Sequence, residues 1–376
     1  MFNRIKKVSH IIENTLGWHT NRKIIVIESD DWGSIRMPSK TVYHYLLDKG
    51  IRVDKCHYCK YDSLASENDL SALFELLTSF KDHYDNHPII TANVVVTNPD
   101  FDKIRTDKFS NYHYQLITDT FKEYPQHSKS FSLWKEGMAL HLFNPQFHGR
   151  EHLNITRWLT ALRNKSEETL LTFEKKMFGI SKNISNENRL SYMAAFNYDS
   201  EIEKNTHATI INDGISLFNN LFCTSPISFV APNYKWYNSL ETILYDNGIR
   251  SIQGLSTQQY TSSNRHKNKQ RFRYIGQMNK SKLCSLVRNV FFEPSMLIEK
   301  DWVNSCLFEI ENAFRWKKPA IICSHRVNFI GYIDERNRNT NLKLLKTLLF
   351  EIQKKWTDVE FMSSDRLTNL IIYGKL

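Results

Sequence analysis

The segment Ile89-Ile90-Thr91-Ala92-Asn93-Val94-Val95-Val96 constrains this chain more than any other. It is apolar on both of the faces that an extended chain presents, as is Ala320-Ile321-Ile322-Cys323. Short runs of that kind suit strands covered on both sides, the situation in parallel sheets. Parallel neighbours need long crossovers, usually helices. Strand patterns are predicted at 23–28, 89–97, 137–143, 227–231, 249–253, 319–323 and 358–361. Helical patterns are predicted at 39–48, 67–83, 111–122, 151–163, 200–221, 236–247, 296–313, 339–354 and 364–372. This alternation predicts an α/β fold. Residues 151–226 are too long for a simple connection. Trp158, Leu159, Leu162, Leu170, Leu171 and Phe173 are spaced for burial on helices, so the stretch is read as a helical insertion. The expectation is one domain over 1–376, with a helical N-terminal extension at 1–20, where residues 5–16 alternate as a short amphipathic helix.

Two polar segments stand at the ends of strand patterns. Asp30-Asp31-Trp32-Gly33 follows Lys23-Ile24-Ile25-Val26-Ile27, and His148-Gly149-Arg150-Glu151-His152 follows the third strand pattern. Alternation along an extended chain predicts that the two carboxylates point different ways. Histidines four apart lie one above the other if their segment is a helical turn. One carboxylate with two imidazoles makes a three-ligand metal site with a position open for water, the arrangement of a hydrolytic zinc centre. Taken alone, Asp-Asp after a strand is more often a turn or a cap. A third histidine, His325, follows the strand pattern at 319–323.

These segments resemble the motifs of the polysaccharide deacetylases, the NodB-homology or carbohydrate esterase family four enzymes. The family's first motif is Thr-Phe-Asp-Asp-Gly and its second is His-(Ser/Thr)-x-x-His; a late Leu-x-Leu-x-His follows. The matches run in order from residue 23 to about residue 330. The resemblance implies a distorted, incomplete (β/α) barrel of about seven parallel strands. It implies Asp30 as catalytic base and His325 as catalytic acid, with Asp31, His148 and His152 as metal ligands. It also implies one divalent ion. Zinc is expected, and cobalt, nickel, manganese and iron satisfy the same donors. The third motif, normally Arg-Pro-Pro-Tyr-Gly, is replaced by Ala231-Pro232-Asn233-Tyr234, without arginine. Arg288 is the candidate to orient the base in its place. A backbone N–H near Tyr234 is the candidate oxyanion donor, and Glu293 is a candidate to orient Arg288 or His325. Asn233, Trp32, Arg326 and Arg288 complete the expected substrate-side residues. Glu28 is a candidate partner for a metal histidine, and His141 is expected to support the metal motif.

Composition narrows the setting. The 376 residues include 50 Lys and Arg against 40 Asp and Glu, a net charge of +10. That favours an anionic partner, such as an anionic or phosphate-linked sugar, without marking nucleic acid specifically. The polar run 261–273 carries Arg265, Lys267, Lys269, Arg271 and Arg273, and is expected as a solvated loop or a grip on a phosphate or carboxylate. The six cysteines are expected as free thiols. Cys56-x-x-Cys59 lacks the second pair that a structural zinc site needs. No apolar signal core follows Met1, and no run is long enough to cross a membrane, so a cytoplasmic location is expected, with peripheral membrane contact left open. Oligomeric state is not legible. The expected function is metal-dependent removal of acetyl from an N-acetylated sugar of a polysaccharide or its lipid- or nucleotide-linked precursor. The alternatives are an O-deacetylase or non-sugar amidase on the same scaffold, and a catalytically inactive glycan-binding protein.

Overall fold

A computed structural model describes residues 15–187, 191–260 and 270–374. The expected helix at 5–16 and most of the basic run 261–273 lie outside the described residues. Nine strands form the main sheet: β1 (Lys23–Trp32), β2 (Ile90–Val94), β3 (Phe143–Phe147), β4 (Ser228–Val230), β5 (Ser251–Gly254), β6 (Cys284–Val287), β7 (Val290–Phe291), β8 (Ala320–His325) and β9 (Val359–Met362). Their order is β6-β5-β4-β3-β2-β1-β8-β7, and every pairing is parallel. β1 forks on one side. Its first half pairs β9 from Lys23 to Val26, and its second half pairs β2 from Ile27 onward. The α/β class is as expected, with nine strands where about seven were anticipated.

The two edge strands, β6 and β7, are separated by only Arg288 and Asn289. The Arg288 N–H donates to the Gly254 carbonyl and the Asn289 N–H to Ile321, so the chain steps from one edge of the sheet to the other. The sheet thus wraps into an incomplete barrel that this two-residue step spans. Ile25, Ile27, Ala92, Val94, Phe143, Phe147, Phe229 and Ile322 belong to one large buried cluster with helical residues such as Leu73, Trp134, Phe218 and Leu348. Between β3 and β4 run helices Ile155–Arg163, Glu167–Phe173 and Glu201–Phe222, within the anticipated insertion.

Several local expectations change. Residues 137–143 are not a strand: helix Ser130–Ala139 takes the first three, a turn follows at 140–142, and β3 begins only at Phe143. Pro145 sits in β3 opposite Ala92. The predicted strand 89–97 divides into Ile90–Val94 and the short Thr97–Pro99. Residues 114–116 of a predicted helix pair with the latter as a strand. The helix expected from 296 starts at Trp302, capped by the Asp301 side chain.

Two expected substrate residues are instead structural. Trp32 is 1% exposed and packs edge-on against Trp134 and Phe143, with its indole N–H donating to the Ser29 hydroxyl. Arg326 is wholly buried; its guanidinium forms a two-pronged pair with Asp62 at 3.0 and 3.0 Å and donates to the Ser34 carbonyl. That fork fastens the turn after β8 to the segments around residues 34 and 62. Arg273, expected in a solvated basic loop, is buried against Glu241 and Gln258.

A buried fork is costly to break from one side, because the remaining charge keeps its desolvation penalty. Asp62→Ala is therefore expected to lower unfolding free energy by about 3–5 kcal/mol in urea titration. The double replacement Asp62→Ala/Arg326→Met is expected to recover part of the loss. Additive single effects would remove Arg326 from this role.

Candidate active site

The strand ends converge on one cavity of about 450 Å³, lined among others by Asp30, Asp31, Arg36, Tyr58, His148, His152, Tyr234 and His325. All five sequence-predicted catalytic and metal residues are there. Both aspartates face it, contrary to simple alternation. Asp31 has φ of +73°, a left-handed conformation that Asp tolerates better than most residues. The β1–β2 register shifts between Ser29 and Trp32. This bulge turns Asp31 toward the same side as Asp30, the re-aiming that bulges perform. Gly33, at φ +84°, completes the turn; a Cβ there would meet the Val95 carbonyl oxygen at 2.7 Å.

The two histidines are not on a helical turn. Residues 148–154 form a loop and the helix begins at Ile155. Gly149 takes φ of +109°, which suits glycine where the resembled family has Ser or Thr. The loop still brings the imidazoles together, with ring centroids 4.9 Å apart. His148 Nδ1 lies 2.8 Å from the Val230 carbonyl, a pure acceptor, so that nitrogen holds the proton and Nε2 presents a lone pair. Asp31 Oδ1 is 3.4 Å from His148 Nε2 and 3.2 Å from His152 Nε2. Asp31 Oδ2 is held by Arg36 at 3.0 Å, leaving Oδ1 as the free donor. Burial drives His152 down to about 4, despite Asp31, so it too is a neutral base. Its Nδ1 is buried with no hydrogen-bond partner among the described residues.

These features fit a divalent cation. Tetrahedral ligands at zinc distances lie ~3.3 Å apart, close to the spacings here. The donors are two imidazole nitrogens and one carboxylate oxygen, all within 4.8 Å of one another and all buried.

Asp30 is gripped rather than free. Arg288 donates to both of its oxygens at 2.7 Å, Asn93 Nδ2 donates to Oδ1 at 2.7 Å, and the Tyr234 hydroxyl donates to Oδ2 at 3.1 Å. Burial opposes ionisation, yet Arg288 outweighs it and holds Asp30 well below the usual carboxylate range. Arg288 therefore fixes Asp30, the contact anticipated of a substitute for the missing third-motif arginine. Its Nε donates to Glu28 at 2.6 Å. Glu28 thus serves Arg288, with Ser364 on its other oxygen, and supports no metal histidine as had been anticipated. His141 lies in an exposed turn before β3, away from the role expected for it.

His325 Nδ1 is 2.6 Å from Glu293 Oε1, and its Nε2 is 3.7 Å from Asp30 Oδ2. Burial lowers its basicity, but Glu293 outweighs burial and raises it to about 9. Asn328 Nδ2 fixes the other Glu293 oxygen at 2.7 Å. The Tyr58 ring packs edge-on at 5.4 Å from the His325 ring. The N–H of Tyr234 itself donates to Ala231 within its own turn, and the Tyr234 hydroxyl reaches Asp30. Asn233 lines the cavity mouth, at φ +57°, with its amide donating to Ser191.

Sequence reasoning missed Arg36, Asn93 and Gln253. Asn93 and Gln253 donate and accept between one another and toward Asp30 and Arg288. The available signal was an amide side chain within a short buried strand, Ile90–Val94 for Asn93 and Ser251–Gly254 for Gln253. Arg36, five residues after Asp31, carried no comparable mark.

No family model matches the chain, and a search of curated proteins finds no match. Solved structures with some likeness include a protein described as a polysaccharide deacetylase from Mycobacterium smegmatis. It has 10% identity and a TM-score of 0.44, over 96% of this chain and 94% of that one. The Puue allantoinase has 9% identity and a TM-score of 0.44, with coverage of 96% and 94%. The α-amylase AmyC from Thermotoga maritima has 9% identity and a TM-score of 0.45, with coverage of 93% and 74%.

Calorimetric titration of the metal-free protein with Zn²⁺ is expected to give one site per chain. His152→Ala should abolish it. Arg36→Met should weaken it about 10–100-fold, the usual effect of removing a group that orients a ligand. Unchanged affinity in His152→Ala would place the ion elsewhere.

Proposed function

We propose that this chain is a metal-dependent hydrolase that removes an acetyl group from an N-acetylated sugar of a polysaccharide or its lipid- or nucleotide-linked precursor. The observation that carries the reading is the meeting, in one cavity, of Asp30 paired with Arg288 and His325 paired with Glu293 beside the Asp31–His148–His152 donor set. When bound there, a divalent ion supplies Lewis acidity toward an acyl oxygen and lowers the pKa of a water ligand.

The chain's own groups divide the proton work. Asp30 accepts a proton from the attacking water as the oxygen bonds to the acyl carbon. Arg288, Asn93 and Tyr234 fix the carboxylate's plane and keep it ionised. The same grip makes Asp30 a weak proton acceptor, so the water must be acidified for the transfer to succeed. His325 Nε2–H donates to the leaving nitrogen as the C–N bond breaks. Glu293 holds Nδ1–H and keeps the ring protonated at neutral pH. An amine leaves poorly without that proton, whereas an alcohol depends on it less. A separately maintained acid therefore favours N-acyl over O-acyl substrates. The attacking group in this reading is water, so no covalent acyl-enzyme is needed, although Cys56 and Cys59 line the same cavity.

In assays of acetate release, Asp30→Asn and His325→Ala are each expected to lose about 10²–10⁴-fold in kcat, with Zn²⁺ still bound. Full activity in either variant would end the role assignments. Comparison of N-acetyl with O-acetyl sugars separates the amide hydrolase from an esterase. The pH profile gives a second test. His325 acts in its protonated form and Glu293 raises its pKa, so kcat/KM should fall as pH rises through about 9. Glu293→Gln removes the raising charge, and the alkaline limb should move toward the ordinary imidazole value of about 6.5. A limb that stays in place would detach it from His325.

A further inference from the structure

The turn after Glu293 bears three consecutive apolar residues on the surface: Met296, Leu297 and Ile298, exposed by 58%, 53% and 68%. Isolated exposed apolar residues are ordinary, but a contiguous run is not, outside functional surfaces. This run is held firmly. The Ser295 N–H donates to Asn328 and its hydroxyl to the Val327 carbonyl, while the Trp302 indole donates to the Leu297 carbonyl. Met296 also lines the active-site cavity. Chain from Glu293, the partner of His325, to Met296 spans at most about 10 Å.

The same cavity mouth is lined by Lys55 and Lys182. Both are exposed, and neither forms an ion pair with a described residue. The acidic groups deeper in are matched by Arg36, Arg288 and His325, so among the described residues the mouth presents two exposed lysines beside an apolar tip. Glu299 and Lys300 follow the tip with opposite charges, and Lys300 folds over the Trp302 ring.

Resting on the hydrolase reading above, we propose that this rim docks on an anionic lipid bilayer and that the substrate is a sugar carried on a membrane lipid. Leu297 and Ile298 insert at the headgroup boundary, Lys55 and Lys182 meet lipid phosphates, and Met296 bridges the membrane surface to the cavity. Apolar insertion combined with basic contacts is the pairing that reversible surface binding requires. A water-soluble polymer would give no reason for a fixed apolar tip at the entrance.

The test is co-sedimentation of the full chain with vesicles of phosphatidylcholine alone and with phosphatidylglycerol added. The wild type is expected to bind the anionic vesicles more tightly. Leu297→Ser/Ile298→Ser, which spares the cavity, should bind about tenfold or more weakly while releasing acetate from a soluble N-acetyl sugar at the wild-type rate. Lys55→Glu/Lys182→Glu should lose the preference for anionic over neutral vesicles. Failure of wild type to bind either vesicle, or equal binding by the Leu297/Ile298 variant, would overturn the proposal. So would a wild-type dimer that this variant dissolves without any vesicle binding. Vesicle binding needs no turnover, so its failure is distinguishable from failure of the hydrolase reading.

Discussion

The buried fork between Arg288 and Asp30 is the interaction on which the rest of the site depends. Arg288 is 1% exposed and Asp30 2%, and Glu28 is wholly buried beside them. Charges so far from water persist only when paired and hydrogen-bonded. Arg288 uses Nε on Glu28 and both terminal nitrogens on Asp30, and Gln253 and Tyr234 receive the remaining donations. The fork also explains the step that spans the barrel's gap. Arg288 occupies the crossing between β6 and β7, so its side chain enters the interior beside the end of β1. One residue thereby ties the barrel's open edge to Asp30.

Next to this, the positive φ of Asp31 divides two adjacent carboxylates by partner rather than by face. Asp30 belongs to Arg288, and Asp31 belongs to Arg36 and the histidines. Each has a different hydrogen-bonding fate: Asp30 is held at both oxygens, whereas Asp31 keeps one oxygen toward the two histidines, which is the division of labour the proposed function uses. His325 is the third charge in the cavity, and Glu293 rather than Asp30 controls it, being 1.1 Å closer (2.6 against 3.7 Å). The apolar tip grows from the same Glu293 turn, which links any surface the tip meets to the acid.

Much of this was legible in the chain. Strand ends after apolar runs placed Asp30, Asp31 and His325, because a parallel sheet brings such ends to one face. The histidine spacing was informative although the helical geometry assumed for it was not, since a glycine-hinged loop achieves the same convergence. What failed had local causes. Alternation misled at Asp31 because a bulge is invisible in residue pattern alone. The strand at 143–147 was hidden by Asn144 and Pro145, and an apolar stretch from Gly137 to Leu142 took its place. Trp32 and Arg326 stood next to functional residues but point into the core. Ion-pair partners such as Asp62 and Arg326, 264 positions apart, leave no local trace. Arg288 was found only because the absent motif arginine required a substitute.

The central claim is that a cation sits on two imidazoles and one carboxylate, beside an acid and a base that do not bind it. X-ray absorption spectroscopy at the zinc edge, on protein loaded with one equivalent of Zn²⁺, tests it most directly. The account predicts a first shell of nitrogen and oxygen alone at about 2.0–2.2 Å, with the outer-shell scattering of two imidazoles. A sulfur shell at about 2.3 Å would contradict it, since Cys323 with His325 and Glu293, or Cys56 with Cys59, would then hold the ion.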